Sequence, residues 1–159
     1  MAALVKVIHV PAPALRMLHG LALLGLCAAY LQGGLNKALD FPGAVAEMRH
    51  FGLWPAAPMA VAVAVAVIVL ELGASLLILS GRGRWLGALL LAAFTLAATF
   101  LANRFWLLAP PERFMVENAF FEHLGLVGGF LLVALQDWES RAAARLSGVQ
   151  AVAGERVAP

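Results

Sequence analysis

The segment AVAVAVAVIVLELG, residues 60–73, decides between two folds for this chain. Its alternation of Ala and Val has the period of a β-strand, but the apolar run extends over about residues 57–80 without a turn, far longer than an ordinary strand. A membrane β-barrel would need at least about eight strands, more than a chain of 159 residues with this pattern supplies. We therefore predict a helix, whose small residues suit close packing against other helices.

The chain on either side of this segment is equally apolar. Hydrophobic residues make up 63% and charged residues 13%, against roughly 25% charged residues in soluble proteins. Four stretches reach the ~20 residues that cross a membrane as a helix: about 14–35, 57–80, 85–107 and 119–138. We predict an all-α integral membrane four-helix bundle in residues 1–139 and a polar, partly disordered cytoplasmic tail in residues 140–159.

The distribution of basic residues predicts the orientation. Four spans place both termini on one side, together with seven of the eleven Lys and Arg residues: Lys6, Arg16, Arg82, Arg84, Arg141, Arg145 and Arg156. The other side has Lys37, Arg49, Arg104 and Arg113. By the positive-inside rule both termini are cytoplasmic. The tryptophans fit two membrane interfaces, with Trp54 and Trp106 at outer span ends and Trp85 and Trp138 at inner ones.

The connection between spans one and two has the pattern of a short helix. In DFPGAVAEMRHFG, residues 40–52, Asp40 suits the N-cap, Pro42 the first turn and Gly52 the end. Val45, Met48 and Phe51 share one approximate face. We predict an amphipathic surface helix that lies on the membrane or over the mouth of the bundle.

Glu71 is a carboxylic acid about fourteen residues inside span two, which places it ~21 Å from the outer end of that span. Such a residue is costly in lipid and requires an interior position and a partner. Arg16 and His19, near the inner end of span one, are the expected partners. Two roles stay open: a proton-carrying or ligand-binding carboxyl, and a hydrogen bond that fixes helix packing.

Further polar residues collect at the outer ends of the spans. Thr95, Thr99 and Asn103 recur at intervals of four on one face of span three, although threonines in helices often bond to their own backbone. The candidate ligand-binding residues are Lys37, Asn103, Arg104, Glu122 and His123. Helix dipoles alone also account for much of this pattern of charges. The spacing of His50 and His123 matches no metal-binding signature, so no metal site is predicted.

Six segments, taken in order, carry a resemblance to a known family: GGLNK (33–37), DFPG (40–43), GLWP (52–55), LELGASLLILSG (70–81), ANRFW (102–106) and EHLGLVGG (122–129). With the four-span layout they resemble the DoxX family of small bacterial membrane proteins over about residues 15–138. The resemblance implies a four-helix bundle in the bacterial inner membrane. The family's recurrent positions match Gly34, Lys37, Pro42, Glu71, Gly73 and Gly125. Relatives include a subunit of a thiosulfate:quinone oxidoreductase and membrane partners of redox or stress proteins, but the resemblance assigns no catalytic residue.

Three functions stay open at this point. The first is a non-catalytic subunit or scaffold of a redox or stress-related membrane complex, since the single cysteine, Cys27, excludes a dithiol and no nucleophile–base set is visible. The second is a quinone- or lipophile-binding subunit of a quinone-linked oxidoreductase, with the outer polar residues holding the head and Phe100, Phe105 and Phe120 packing on the ring. The third is a small proton-coupled transporter that uses Glu71.

For cofactors and partners, the sequence leads to a short set of expectations. Quinone is the one cofactor that the sequence suggests, and the chain is not expected to be an enzyme by itself. The expected partners are the lipid bilayer and a redox membrane protein, and homo-oligomerisation stays open. The net charge of +2 reflects membrane topology, and no nucleic-acid binding is expected.

Overall fold

The structure, a computed structural model, describes residues 11–51 and 57–157 as five α-helices and one 3-10 turn. The helices are α1 (Ala12–Leu39), α2 (Phe41–His50), α3 (Ala57–Ser80), α4 (Arg84–Ala102) and α5 (Glu112–Val157), and the 3-10 turn is Phe105–Leu107. Four of them, all except α2, are long and apolar enough to cross a membrane. The predicted all-α membrane fold, with a short helix between spans one and two, is confirmed.

The Ala–Val alternation in α3 separates two faces of a helix. Ala60 and Ala64, four residues apart, have no exposed surface, whereas Val61 and Val65 are 40% and 46% exposed. A spacing of four places each pair on one helical face. The small alanines therefore face other helices, and the valines face outward, where lipid would surround them.

The four long helices pack in sequence around one core. α4 lies between α3 and α5, α1 packs on α3, and α1 touches α5 least of these neighbours. The fully buried side chains in the centre include Cys27, Ile78, Leu91 and Phe130, one from each long helix. Tyr30 joins α1 to α5 through an edge-to-face contact with Phe130, the ring centroids being 5.3 Å apart. A contact of this kind is favourable beyond the area that it buries.

Helix α2 folds back along the N-terminal half of α3, which is called the outer half after the predicted orientation. Asp40 caps it by accepting a hydrogen bond from the Gly43 N–H at 3.1 Å, as the sequence predicts. Ala44 and Met48 are buried against Ala60 and Ala64. Because α2 covers this half of α3, α1 ends beside the middle of α3 rather than beside its outer end. Gly52 and Trp54, which the sequence analysis assigns to the helix end and the outer interface, lie outside the described residues.

The inner connection between α3 and α4 is a tight turn. Gly81 and Gly83 have φ values of 75° and 89°, a region that side chains other than glycine rarely adopt. Asp137 of α5 then accepts the Trp85 N–H at 3.2 Å and so satisfies one of the free donors at the start of α4. The Trp85 and Trp138 rings lie 5.8 Å apart at this end of the bundle.

Two helix ends differ from the predicted spans. The third span, expected at about 85–107, is helical only to Ala102, because Asn103 leaves the helix with φ −102° and ψ 50° and a 3-10 turn follows. In contrast, α5 is longer than expected and continues through Val157 into the region expected to form a partly disordered tail. Its residues 139–147 are rich in Ala and Arg, good helix formers, and contain no proline.

Candidate functional site

The centre of the candidate site is an ion pair between α1 and α3. Lys37 Nζ lies 3.2 Å from both carboxylate oxygens of Glu71. Their side chains are only 17% and 7% exposed. Glu71 lies fourteen residues from the first residue of α3, so the pair lies ~21 Å below the outer end of that helix. A buried carboxylate at this depth requires such a partner.

The partner of Glu71 differs from the expectation. Arg16 and His19, proposed from span lengths, are both exposed, and neither contacts Glu71. That expectation is wrong because it places the outer ends of spans one and two at the same membrane surface. Since α2 occupies the outer half of α3, the C-terminal end of α1 reaches the level of Glu71. Lys37 therefore points into the protein and not toward lipid headgroups.

Gly34 allows α1 and α3 to approach closely enough for this pair. A Cβ atom on Gly34 would lie 2.9 Å from the Leu72 side chain and 3.2 Å from the Glu71 Cβ, both tighter than ordinary contacts. On Gly33 it would lie 3.5 Å from Lys37 Nζ. The presence of glycine at position 34 of the GGLNK segment is thus explained, because small residues let helix backbones approach.

A cavity of about 470 Å³ lies beside this ion pair, between the helices. Its walls are mostly apolar and come from all five helices, with aromatic rings from Phe51 and Phe94 and small side chains from α4 such as Ala98. Its titratable side chains among the described residues are Tyr30, Lys37, Glu47, Glu71 and His123. Ligand pockets in proteins have this size and this combination of apolar wall and a few polar groups.

Tyr30 and Thr95 form a second polar contact on the cavity wall. The Tyr30 hydroxyl is hydrogen-bonded to Thr95 Oγ1, and both side chains are buried. Thr95 Oγ1 also donates to the backbone oxygen of Leu91 at 2.6 Å. Thr99 bonds to its own helix in the same way, through the Thr95 oxygen. Both threonines of the polar stripe thus donate to the backbone of their own helix, as threonines in helices often do, and Thr95 additionally lines the cavity.

Asn103 and His123 form a third polar contact, between α4 and α5. The Asn103 amide lies 3.1 Å from His123 Nδ1, which also contacts the backbone oxygen of Ala119. His123 is half-buried and lines the cavity, whereas Asn103 contacts His123 but does not line the cavity. The structure thus brings together Lys37, Glu71 and His123 around one cavity.

Other predicted site residues lie elsewhere. Arg104 and Glu122 are exposed and do not line the cavity. Three phenylalanines were expected to pack on a ligand ring: Phe100, Phe105 and Phe120. Instead, the Phe120 ring makes edge-to-face contacts with the other two, at centroid distances of 5.3 Å to Phe100 and 5.4 Å to Phe105. They do not line the cavity either. The three phenylalanines lie at or beside the α4–α5 connection, and spacing along the chain does not determine whether their side chains face the cavity or one another.

Sequence reasoning missed Tyr30, although a signal exists. Tyr30, Gly33, Gly34 and Lys37 have the spacing of one helical face, and Tyr30 is the single tyrosine in the chain. A lone tyrosine on the same face as a glycine pair and a lysine indicates a polar surface inside the bundle. The rest of the cavity depends on contacts between distant helices, which no local pattern contains.

A second, smaller cavity of about 360 Å³ lies at the inner end, next to His19, Arg84 and Asp137. Cys27 on α1 and Phe130 on α5, both with no exposed surface, lie between the two cavities along their helices. The apolar core therefore separates the inner cavity from the larger one.

Comparison with known proteins identifies the family. The DoxX family model matches residues 20–104, which is more than half of the chain and includes Lys37, Glu71 and Thr95. No curated protein and no solved structure matches the chain. The match confirms the resemblance seen in the sequence motifs, and on this basis the chain is an integral membrane protein that belongs to the DoxX family.

Proposed function

We propose that this protein binds a neutral lipophilic small molecule, such as a quinone, in the cavity between its helices. The observation that carries the proposal is the combination of a 470 Å³ apolar cavity with the Lys37–Glu71 ion pair inside it. An apolar wall suits a hydrocarbon or ring, and the polar groups suit a single polar head. The bound molecule would link the protein to a redox complex of the bacterial inner membrane, with both termini in the cytoplasm.

The charges around the cavity support a neutral head. Lys37 contributes one positive charge, and it is paired with Glu71, while Glu47 adds a second carboxylate to the lining. The described lining residues therefore carry a net negative charge when His123 is neutral. A phosphate head would meet this charge without a free cation to bind it, so anionic phospholipids are disfavoured.

Filling the cavity tests this proposal. Ala98 lines the cavity on α4, whereas Ala93 on the same helix is exposed and does not. Protein purified from native membranes in mild detergent should carry a lipophilic molecule detectable by mass spectrometry. We expect Ala98→Phe to remove it and the matched variant Ala93→Phe to retain it. An empty wild-type protein, or equal occupancy in both variants, would count against a binding cavity.

A second candidate, the scaffold or non-catalytic subunit, is favoured by the length of α5. This helix has 46 residues, or ~69 Å, whereas the hydrocarbon core of a bilayer is ~30 Å thick. Leu146, which lies beyond the span expected at about 119–138, is 66% exposed. We propose that the helix beyond residue 139 contacts a partner protein on the cytoplasmic side.

The test of this second candidate is recovery of partners from native membranes. Leu146→Asp should reduce co-purification of a protein partner, while Gln150→Glu, a change at another exposed position of the same helix, should not. Equal recovery with both variants would remove the support that α5 gives to the scaffold.

Proton-coupled transport has less support, because the apolar core lies between the two cavities.

A further inference from the structure

The directions of the hydrogen bonds around the cavity define which head group fits it. Thr95 Oγ1 carries one hydrogen, and it donates that hydrogen to the Leu91 backbone oxygen, which can only accept. The Tyr30 hydroxyl must therefore donate to Thr95 Oγ1. The hydroxyl hydrogen of Tyr30 is thus already bonded to Thr95 in the cavity wall. The Tyr30 oxygen keeps a lone pair that can accept a hydrogen bond from a ligand. Toward the cavity Tyr30 acts as an acceptor.

The contacts of His123 also leave a hydrogen-bond acceptor free for a ligand. The Ala119 backbone oxygen beside His123 Nδ1 can only accept, so Nδ1 carries the hydrogen. The structure places Asn103 Nδ2 3.1 Å from Nδ1, so this tautomer requires the Asn103 amide to be turned by 180°, which brings its oxygen to the Nδ1–H without changing the shape of the side chain. In the neutral ring, Nε2 is consequently an acceptor. Nε2 has no hydrogen-bond partner within residues 11–51 and 57–157.

The ion pair adds further acceptors and one donor. Lys37 directs N–H groups to both oxygens of Glu71, which leaves one of its three donors for a ligand. Each Glu71 oxygen retains a second lone pair. Free acceptors from Tyr30, His123 and Glu71 therefore outnumber the single free donor that the lining side chains offer within the described residues.

We propose that the cavity prefers a lipophile whose head donates hydrogen bonds, such as a hydroxylated or reduced ring, over the same molecule with acceptors alone. This inference rests on the proposed lipophile-binding function and specifies its ligand class. A head with two hydroxyl groups satisfies two of the acceptors. A head with only carbonyl or ether oxygens satisfies none of them and competes for the one N–H of Lys37.

A matched pair of probes tests the preference. A 5-alkylresorcinol has two hydroxyl donors, and its dimethyl ether keeps the ring and chain but has none. Binding of both probes to the purified protein is measured under the same conditions. We expect the resorcinol to bind about tenfold more tightly, since two hydrogen bonds of modest net value amount to about one decade of affinity.

Variants locate the preference at named acceptors. Tyr30→Phe keeps the ring and removes the oxygen, so the tenfold ratio should fall to about threefold. Thr99→Val is the matched control, because Thr99 bonds to its own helix and does not line the cavity, and its ratio should stay unchanged.

The outcomes separate the two proposals. If both probes bind equally, or the ether binds more tightly, the donor preference is overturned while lipophile binding stands. If neither probe binds, the proposed function itself fails and the preference fails with it. Because the wild-type comparison already decides the preference, a variant that folds poorly does not obscure the result.

Discussion

Removing Lys37 is expected to destabilise the bundle more than removing both members of its ion pair. At the observed separation of 3.2 Å, the attraction is ~5 kcal/mol for an effective dielectric constant of about 20. Lys37→Met leaves the 7% exposed Glu71 carboxylate without its cation, a change that costs about 3–5 kcal/mol in comparable sites. Lys37→Met combined with Glu71→Gln leaves no buried charge, so the double variant should recover at least about 1.5 kcal/mol.

The assay is reversible unfolding in mild detergent, followed by circular dichroism, for the wild type, both single variants and the double variant. A matched control pair is Arg113 and Glu117, whose side chains are 48% and 38% exposed at a separation of 3.6 Å. Solvent screens this pair, so its coupling should be at most about 0.5 kcal/mol. If the losses from Lys37→Met and Glu71→Gln simply add, the pair is not coupled and the argument from burial is wrong.

Three further predictions concern the packing that positions the site. Gly87→Ala should lower the free energy of unfolding by about 1–3 kcal/mol, because its Cβ would lie 2.5 Å from the backbone oxygen of Ala74. Gly34→Ala should weaken the bundle by about 1–2 kcal/mol through its clash with a leucine of α3, and unfolding of both glycine variants in detergent measures this. Asp137→Ala should cost about 0.5–2 kcal/mol, since the Trp85 N–H loses its acceptor, and the melting temperature reports it.

Gly125→Ala is the control for both glycine variants. A Cβ on Gly125 would meet nothing within 4 Å, so the same substitution should leave stability unchanged or slightly raised. A loss at Gly125 as large as that at Gly87 would mean that helix close approach does not explain the glycine effects.

The helices and the capping of α2 could be predicted from the sequence because they depend on local patterns. Apolar runs of membrane length predict the long helices, and Asp40 ahead of Pro42 predicts the start of α2. The pairing of Lys37 with Glu71 could not be predicted in the same way. It depends on how far α1 reaches along α3, and that register is set by α2 occupying the outer half of α3.

The same distinction holds for the candidate site. Lys37, Asn103 and His123 were chosen as polar residues near span ends, and two of them line one cavity. Arg104 and Glu122 belong to the same sequence pattern but are exposed. Residue type and span position do not determine the direction of a side chain at a helix end, where Asn103 leaves the helix and the backbone turns.

The most direct test of the binding cavity is photocrosslinking in native membranes. Leu101 lines the cavity, while Leu96 on the same helix is 40% exposed and does not. A diazirine analogue of leucine has nearly the same shape, so it can replace either residue without altering the packing. After illumination, mass spectrometry identifies the molecules attached at each position. We predict one neutral lipophile enriched at Leu101 and bulk phospholipid at Leu96; the same phospholipids at both positions would contradict a selective cavity.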